Sequence, residues 1–330
     1  MKKSTLSIII GSLIGFVLIV LWLRSVDFSI LVQSFREVNY SLVVIAGLFY
    51  ILAYVVRSYR WNLLLRNQVL LSFRESWMVA SAGNWLNYLI PIRAGEIIKA
   101  LLIKKLRKKT AVSIMPSIFI DKFFDTLGIF FVLLLLPFIR LHISPGLRIL
   151  IILLIFMFTI AFTILILAAT HKGKITFILQ KLFAWLPIRV REKIYHLIEL
   201  FIDGLNIFDH HRKTLFYAVL LTVVGIMFDG LYFYMIFGAF NQNIGFIIIL
   251  FGYTLINLSY VLPQPPAQLG SNEWMMIIIF SLGFGLTHNT ASAIMVFAHV
   301  FTACIISILG IIGFSYAGVK SYKQIRKELS

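Results

Sequence analysis

Asn84-Trp-Leu-Asn87-Tyr-Leu-Ile-Pro91-Ile-Arg93-Ala-Gly95-Glu96-Ile-Ile-Lys99 is too apolar to lie in water and too polar to face lipid. Pro91 removes a backbone donor and Gly95 permits a tight bend, so a helix through this stretch must break. Inside a bilayer the freed backbone groups need partners from side chains or water, and Asn84 and Asn87 supply them. The wider apolar segment, residues 77–103, therefore reads as re-entrant or broken rather than as a plain crossing. A related stretch follows in the second half, Asn257-Leu-Ser-Tyr-Val-Leu-Pro263-Gln-Pro265-Pro266-Ala-Gln-Leu-Gly270-Ser-Asn272-Glu273. Both run from Asn through apolar residues to Pro, then to Gly and Glu at a helix start. Paired Gly/Pro interruptions in two halves of a polytopic chain point to a transporter's binding site.

Around these breaks the chain is a membrane protein by composition. Of its 330 residues 60% are hydrophobic and only 13% charged, with a mean hydropathy of +0.95. Soluble chains average about half apolar and about a quarter charged. Crossing a hydrocarbon core takes about 20 residues, and eight runs approach that length: 6–23, 40–56, 114–139, 147–169, 215–240, 244–262, 274–286 and 291–319. The seventh is short, which suggests a tilted or broken helix. The expected fold is all-α and polytopic, with about eight transmembrane helices plus broken helices in two related halves. It is read as one membrane domain over 1–330, with halves at about 1–140 and 147–330.

Residues 22–25 offer no small-x-small cleavage site, so the first span is read as uncleaved. With the N-terminus inside, 24 of the 30 Lys and Arg fall on the cytoplasmic face and four outside, Arg93 and Lys122 lying at membrane depth. The positive-inside rule then puts both termini in the cytoplasm and the protein in the cytoplasmic membrane. The net charge of +17 is thus mainly topological; no soluble module presents it to nucleic acid. Val190, Ile194, Leu197, Ile198, Phe201, Ile202 and Leu205 recur with a helical period, predicting an amphipathic helix over 188–208 on the inner interface that joins the halves. His196 with Glu199, and His210 with His211, are read as a solvated helix face, because no second cluster completes a metal site. Single Cys304 excludes a disulfide framework. No metal or cofactor is expected.

Seven ionisable residues lie in or beside apolar stretches: Arg93, Glu96, Asp121, Lys122, Asp125, Asp229 and Glu273. Each unpaired charge at the bilayer centre costs roughly 2.5–3.5 kcal/mol, so they must pair, face water or sit near the interface. Asp121 and Asp125 are four apart on one helix face, with Lys122 in reach of either or of Glu96. Sequence leaves open whether they are held ionised by a base or protonated by burial. Arg57, Arg60 and Trp61 end the second span, where snorkelling anchors and phosphate contacts explain them equally.

In this order the residues resemble the lysylphosphatidylglycerol synthase transmembrane region family, also called flippase-like or UPF0104 proteins. The resemblance rests on Arg57, Arg60 and Trp61, on Asn87, Pro91, Gly95, Glu96 and Lys99, on Asp121, Lys122 and Asp125, and on Pro263, Pro265, Gly270 and Glu273. Asp121-Lys122 stands where the family usually has Glu-Arg, and His299 stands for a base the family often shows in its last span. A lysine contacts phosphate as a point charge, not as a bidentate fork. A lone His in an apolar helix is read as hydrogen bonded.

The resemblance implies lipid chemistry: members belong to proteins that make and flip lysyl-phosphatidylglycerol, and relatives are linked to polyprenol-phosphate glycan pathways. Lysyl-transferring members carry a large soluble domain after the membrane region, whereas this chain stops about eleven residues past its last span. No Walker-type phosphate loop occurs either. The expectation is a lipid translocase rather than an enzyme, moving an anionic or phosphate-containing lipid such as an aminoacylated phosphatidylglycerol or a polyprenyl-phosphate-linked lipid. Arg93, Lys99 and Lys122 would attract the phosphate. Glu96, Asp121, Asp125 and Glu273 would hold the bases, carry a proton or meet a cationic head group. Two rivals are an integral lipid-phosphate transferase using Glu96 or Asp125 as base, and a non-transporting partner of a separate synthase.

Overall fold

The computed structural model describes residues 3–66, 68–90, 94–107, 111–134, 212–260 and 264–329, with isolated positions between 149 and 195. Among them all regular structure is helical: α1 (Lys3–Ser25), α2 (Phe28–Arg36), α3 (Tyr40–Leu65), α4 (Phe73–Leu89), α5 (Gly95–Arg107), α6 (Ala111–Leu133), α7 (Arg212–Ala239), α8 (Phe246–Ser259), α9 (Ser271–Met276) and α10 (His288–Leu329). Their starts are written in the sequence. The Asp27 carboxylate accepts from the Ser29 amide at 2.9 Å and the Asn39 side chain from Ser41 at 3.1 Å. Ser72 and Glu75 exchange side-chain and backbone bonds in a capping box.

Three helical segments are long and apolar enough to cross a membrane, Tyr40–Leu65, Lys213–Ala239 and His288–Gly318; the bent pair Ser12–Ser25 and Phe28–Arg36, with an 84° turn, makes a fourth if counted as one span. The eight expected crossings are thus not all simple helices. The 244–262 run is carried by α8, whose 14 residues rise only about 21 Å. The 274–286 run is the short α9 continued by a π turn over Ile277–Ser281. The 114–139 run holds α6, which carries Asp121, Lys122 and Asp125 and has Pro116 inside it. The 147–169 run and the amphipathic 188–208 segment lie outside the described stretches, as do His196, Glu199, His210 and His211.

The longest packing seam joins α3 to α7, and the next joins α4 to α10. Tyr232, Phe237, Phe251 and Phe280 are fully buried between α7, α8 and the π turn, with Phe237 and Phe280 ring centroids 4.8 Å apart. Outward side chains such as Val44, Leu48, Phe216 and Ile308 are apolar and more than half exposed, as a lipid-facing surface requires. Small residues decide the second seam. A Cβ on Gly313 would strike the Met78 carbonyl and lie 3.0 Å from the Ala82 amide, and one on Gly310 would strike Trp85. Two of the last helix's glycines therefore pack α10 onto α4 within the protomer. Nothing lies within 4 Å of a Cβ on Gly318.

The first break folds α5 back against α4. Gly95 sits so close to Gly83 that a Cβ would overlap the Gly83 carbonyl oxygen. The second break is a tight turn over Pro266–Gln268 in which Ala267 and Gln268 hold φ of 52° and 59° and Gly270 holds 80°. Left-handed conformations cost a non-glycine residue about 1–2 kcal/mol each, so the surroundings must enforce them. The Trp274 indole donates to the Leu18 carbonyl at 2.9 Å, tying α1 to this break.

Candidate functional site

Arg60 lies near the C-terminal end of α3 and is 1% exposed. Its Nε donates to Asp121 Oδ1 at 2.8 Å, and Nη2 to Asp125 Oδ1 at 2.5 Å and to the Asp121 carbonyl at 3.1 Å. Nη1 donates to the Thr222 hydroxyl of α7 at 2.9 Å. The planar fork thus clamps α6 and α7 onto α3, a geometry a lysine could not reproduce. One turn earlier, Arg57 pairs with Asp229 of α7 through two hydrogen bonds, and its Nε is 3.9 Å from Asp125. Asp125 also meets Lys122 Nζ at 3.2 Å.

Lys122 carries the network to the first break. Its ammonium lies 3.4 Å from Glu96 Oε1, and Lys99 lies 3.1 Å from Glu96 Oε2 and 5.6 Å from the Trp61 ring centroid. Asn87 closes the chain: its amide donates to Glu96 Oε1 at 2.9 Å, and its carbonyl oxygen accepts from the Gly95 amide at 2.8 Å, satisfying a donor of the first turn of α5. Four bases, Arg57, Arg60, Lys99 and Lys122, and four acids, Glu96, Asp121, Asp125 and Asp229, are therefore joined in one cluster drawn from α3, α5, α6 and α7. Their formal charges cancel. Left unpaired at a bilayer centre, eight such charges would cost on the order of 20 kcal/mol. The cluster is closed around Arg60 and open at one edge, where the Lys122, Arg57 and Asp125 side chains are 39%, 33% and 31% exposed.

A second centre lies at the second break. Buried His299 of α10 has Nδ1 2.6 Å from Glu273 Oε1 and Nε2 2.8 Å from the Ala267 carbonyl and 3.0 Å from the Tyr88 hydroxyl. The other Glu273 oxygen accepts from the Gly270 amide at 2.8 Å. Asn87 and Tyr88 are consecutive, so the last turn of α4 serves the ion-pair cluster with one residue and His299 with the next. Among the described residues no three metal-ligating side chains come together.

Of the residues singled out by sequence, Asn87, Glu96, Lys99, Asp121, Lys122, Asp125 and Asp229 meet in the first centre and Glu273 and His299 in the second. Pro91, Arg93 and Pro263 lie outside the described residues. Arg57 and Arg60, open by sequence to anchoring or to phosphate contact, are seen paired with acids of α6 and α7. The helix runs on to Leu65 and turns the arginine heads inward onto α6 and α7, with Trp61 2% exposed beneath Lys99. Lys99, expected to attract phosphate, is 4% exposed and paired with Glu96. Sequence reasoning passed over Thr222, whose signal was its place seven residues before Asp229, two turns away on one face of α7, and Tyr88, which had none.

The sequence matches the profile of the lysylphosphatidylglycerol synthase TM region over residues 8–310. The chain belongs to that family. A curated relative, a UPF0104 membrane protein of Methanocaldococcus jannaschii, is 24% identical over 322 residues that cover 94% of each chain. No solved structure matches. As a lysylphosphatidylglycerol synthase TM-region protein, this chain is a membrane protein of a lipid-related family, and seven of the eight charges of its ion-pair cluster, all but Asp229, are residues that carried the family resemblance.

Proposed function

We propose that this protein moves a phosphate-bearing lipid across the cytoplasmic membrane, with both termini in the cytoplasm. The observation that carries the reading is the open edge of an otherwise closed ion-pair cluster. Lys122 and Arg57 are partly exposed there, each held by acids that would release them to an incoming phosphate in exchange for one ion pair. The lipid's chains stay in the bilayer while the head group meets Lys122 beside the break at Gly95. Arg60 and Lys99, both buried, hold the frame, and Glu96 and Asp125 keep Lys122 aimed. The excess of Lys and Arg on one side supports the orientation, and a separate lipid-modifying synthase is the natural supplier of cargo.

Transbilayer movement of labelled lipids in proteoliposomes tests this, comparing phosphatidylglycerol, lysyl-phosphatidylglycerol and a polyprenyl phosphate. Wild type is expected to move one class. Lys122→Gln, which removes a charge-assisted phosphate contact worth about 1.5–3 kcal/mol, should slow that movement by about tenfold or more. Lys104→Gln, on the exposed side of α5, should not. Movement equal to that of empty liposomes for every class, or full activity in Lys122→Gln, would overturn the proposal.

A further inference from the structure

We infer that Glu273 and His299 together form a proton-binding site that latches the second helix break. A backbone carbonyl can only accept, so Nε2, 2.8 Å from the Ala267 oxygen, must carry a hydrogen. In a neutral imidazole Nδ1 would then present a lone pair to a carboxylate oxygen 2.6 Å away. Two acceptors do not approach so closely. A second proton resolves the contact, whether it rides on Nδ1 or on Glu273. The pair as a unit thus holds one proton more than a neutral imidazole beside a carboxylate.

Without that proton a neutral ring can serve Glu273 or Ala267, but not both. Ala267 and Gln268 hold left-handed backbone that the surroundings must enforce, and the His299 ring is the side chain that fixes the Ala267 carbonyl. Loss of the proton therefore frees the turn over Pro266–Gln268, and its return re-forms it. Among the described residues Tyr88 from α4 and Tyr260 at the end of α8 interact with the pair, the Tyr232 hydroxyl of α7 reaches the Ala298 carbonyl beside it, and Cys304 of α10 interacts with Tyr88. Phenols and thiols are predominantly uncharged at neutral pH, so Glu273 is the charge that the imidazole meets. The site takes a proton as its ligand and lies beyond the ion-pair cluster, separated from it by the last turn of α4. It requires no cargo, so it stands or falls apart from the lipid reading.

Hydrogen exchange of the full chain in lipid nanodiscs, followed by mass spectrometry across a pH series and corrected for intrinsic exchange rates, tests the latch. Wild-type protection of residues 264–276 is expected to fall by about tenfold or more through one single-proton step as pH rises. His299→Gln should abolish the step while leaving α3 and α7 protected. Glu273→Gln, which removes the anion that favours the imidazolium, should move the step to lower pH. Flat wild-type protection, or a step that survives in His299→Gln, would overturn the inference.

Discussion

Replacing Arg60 by alanine is expected to destabilise the protein by about 3–5 kcal/mol, the range for removing one partner of a buried ion pair. The loss comes less from the bonds broken than from what remains. Asp121 and Asp125 would stay inside the bundle with one guanidinium fewer, and the Thr222 hydroxyl and Asp121 carbonyl would lose their shared donor. Arg60→Lys should recover only part of this, because an ammonium cannot reach α6 and α7 in one plane. A double-mutant cycle with Asp121→Asn separates the pair from its surroundings: neutralising the acid in the Arg60→Ala background should restore stability. Thermal unfolding in detergent reads all four proteins. Additive effects of the two substitutions would show that the side chains do not act together.

Gly95→Ala carries the second large effect. A methyl group there would overlap the Gly83 carbonyl oxygen, and it would sit 2.7 Å from the Asn87 side chain. Flexible neighbours can yield to an added methyl, but a backbone carbonyl inside α4 cannot move without unpicking its helix. The cost should reach about 3 kcal/mol or more, the upper end of overpacking penalties. The injury should also spread to function, because α5 positions Glu96 and Lys99 and is capped by Asn87. Gly318→Ala is the contrast: with no atom within 4 Å of its Cβ it should stabilise by about 0.5–1 kcal/mol through helix propensity. Equal melting temperatures for Gly95→Ala and wild type would show that α4 and α5 do not press together at this point.

The breaks were legible in the sequence because Pro, Gly and Asn have fixed local consequences in an apolar run. Asp121, Lys122 and Asp125 were legible as a set, since a helix puts the two acids on one face. What sequence could not give was the partner of each charge. The Arg60 clamp spans 61 positions to Asp121 and 162 to Thr222, and the Arg57 pair spans 172 to Asp229. Such distances are set by how α3 seats between α6 and α7, not by any local pattern. For the same reason the pairing of Arg57 and Arg60 with Asp229, Asp121 and Asp125 has no local signature; the end of an apolar run leaves anchoring and phosphate contact equally open. His299 was read as hydrogen bonded, but its carbonyl partner Ala267 depends on a left-handed turn that no propensity favours outside glycine. Two of the eight expected spans take forms that hydropathy alone does not show. A 14-residue helix and a short helix prolonged by a π turn both read as apolar runs, and hydropathy does not register where a run bends.

The cancellation of charge in the first centre has an electrical consequence. Carrying one elementary charge through a membrane potential involves about 2.3 kcal/mol per 100 mV. The four bases and four acids of the cluster move together if their helices shift as a body, so the cluster itself contributes no net gating charge, although Lys104, Lys105 and Arg107 at the end of α5 and Arg212 and Lys213 at the start of α7 ride with it. Voltage sensitivity arising at the cluster would then originate in what it carries, a lipid's own phosphate, and that arising at the second break in the proton shared by Glu273 and His299.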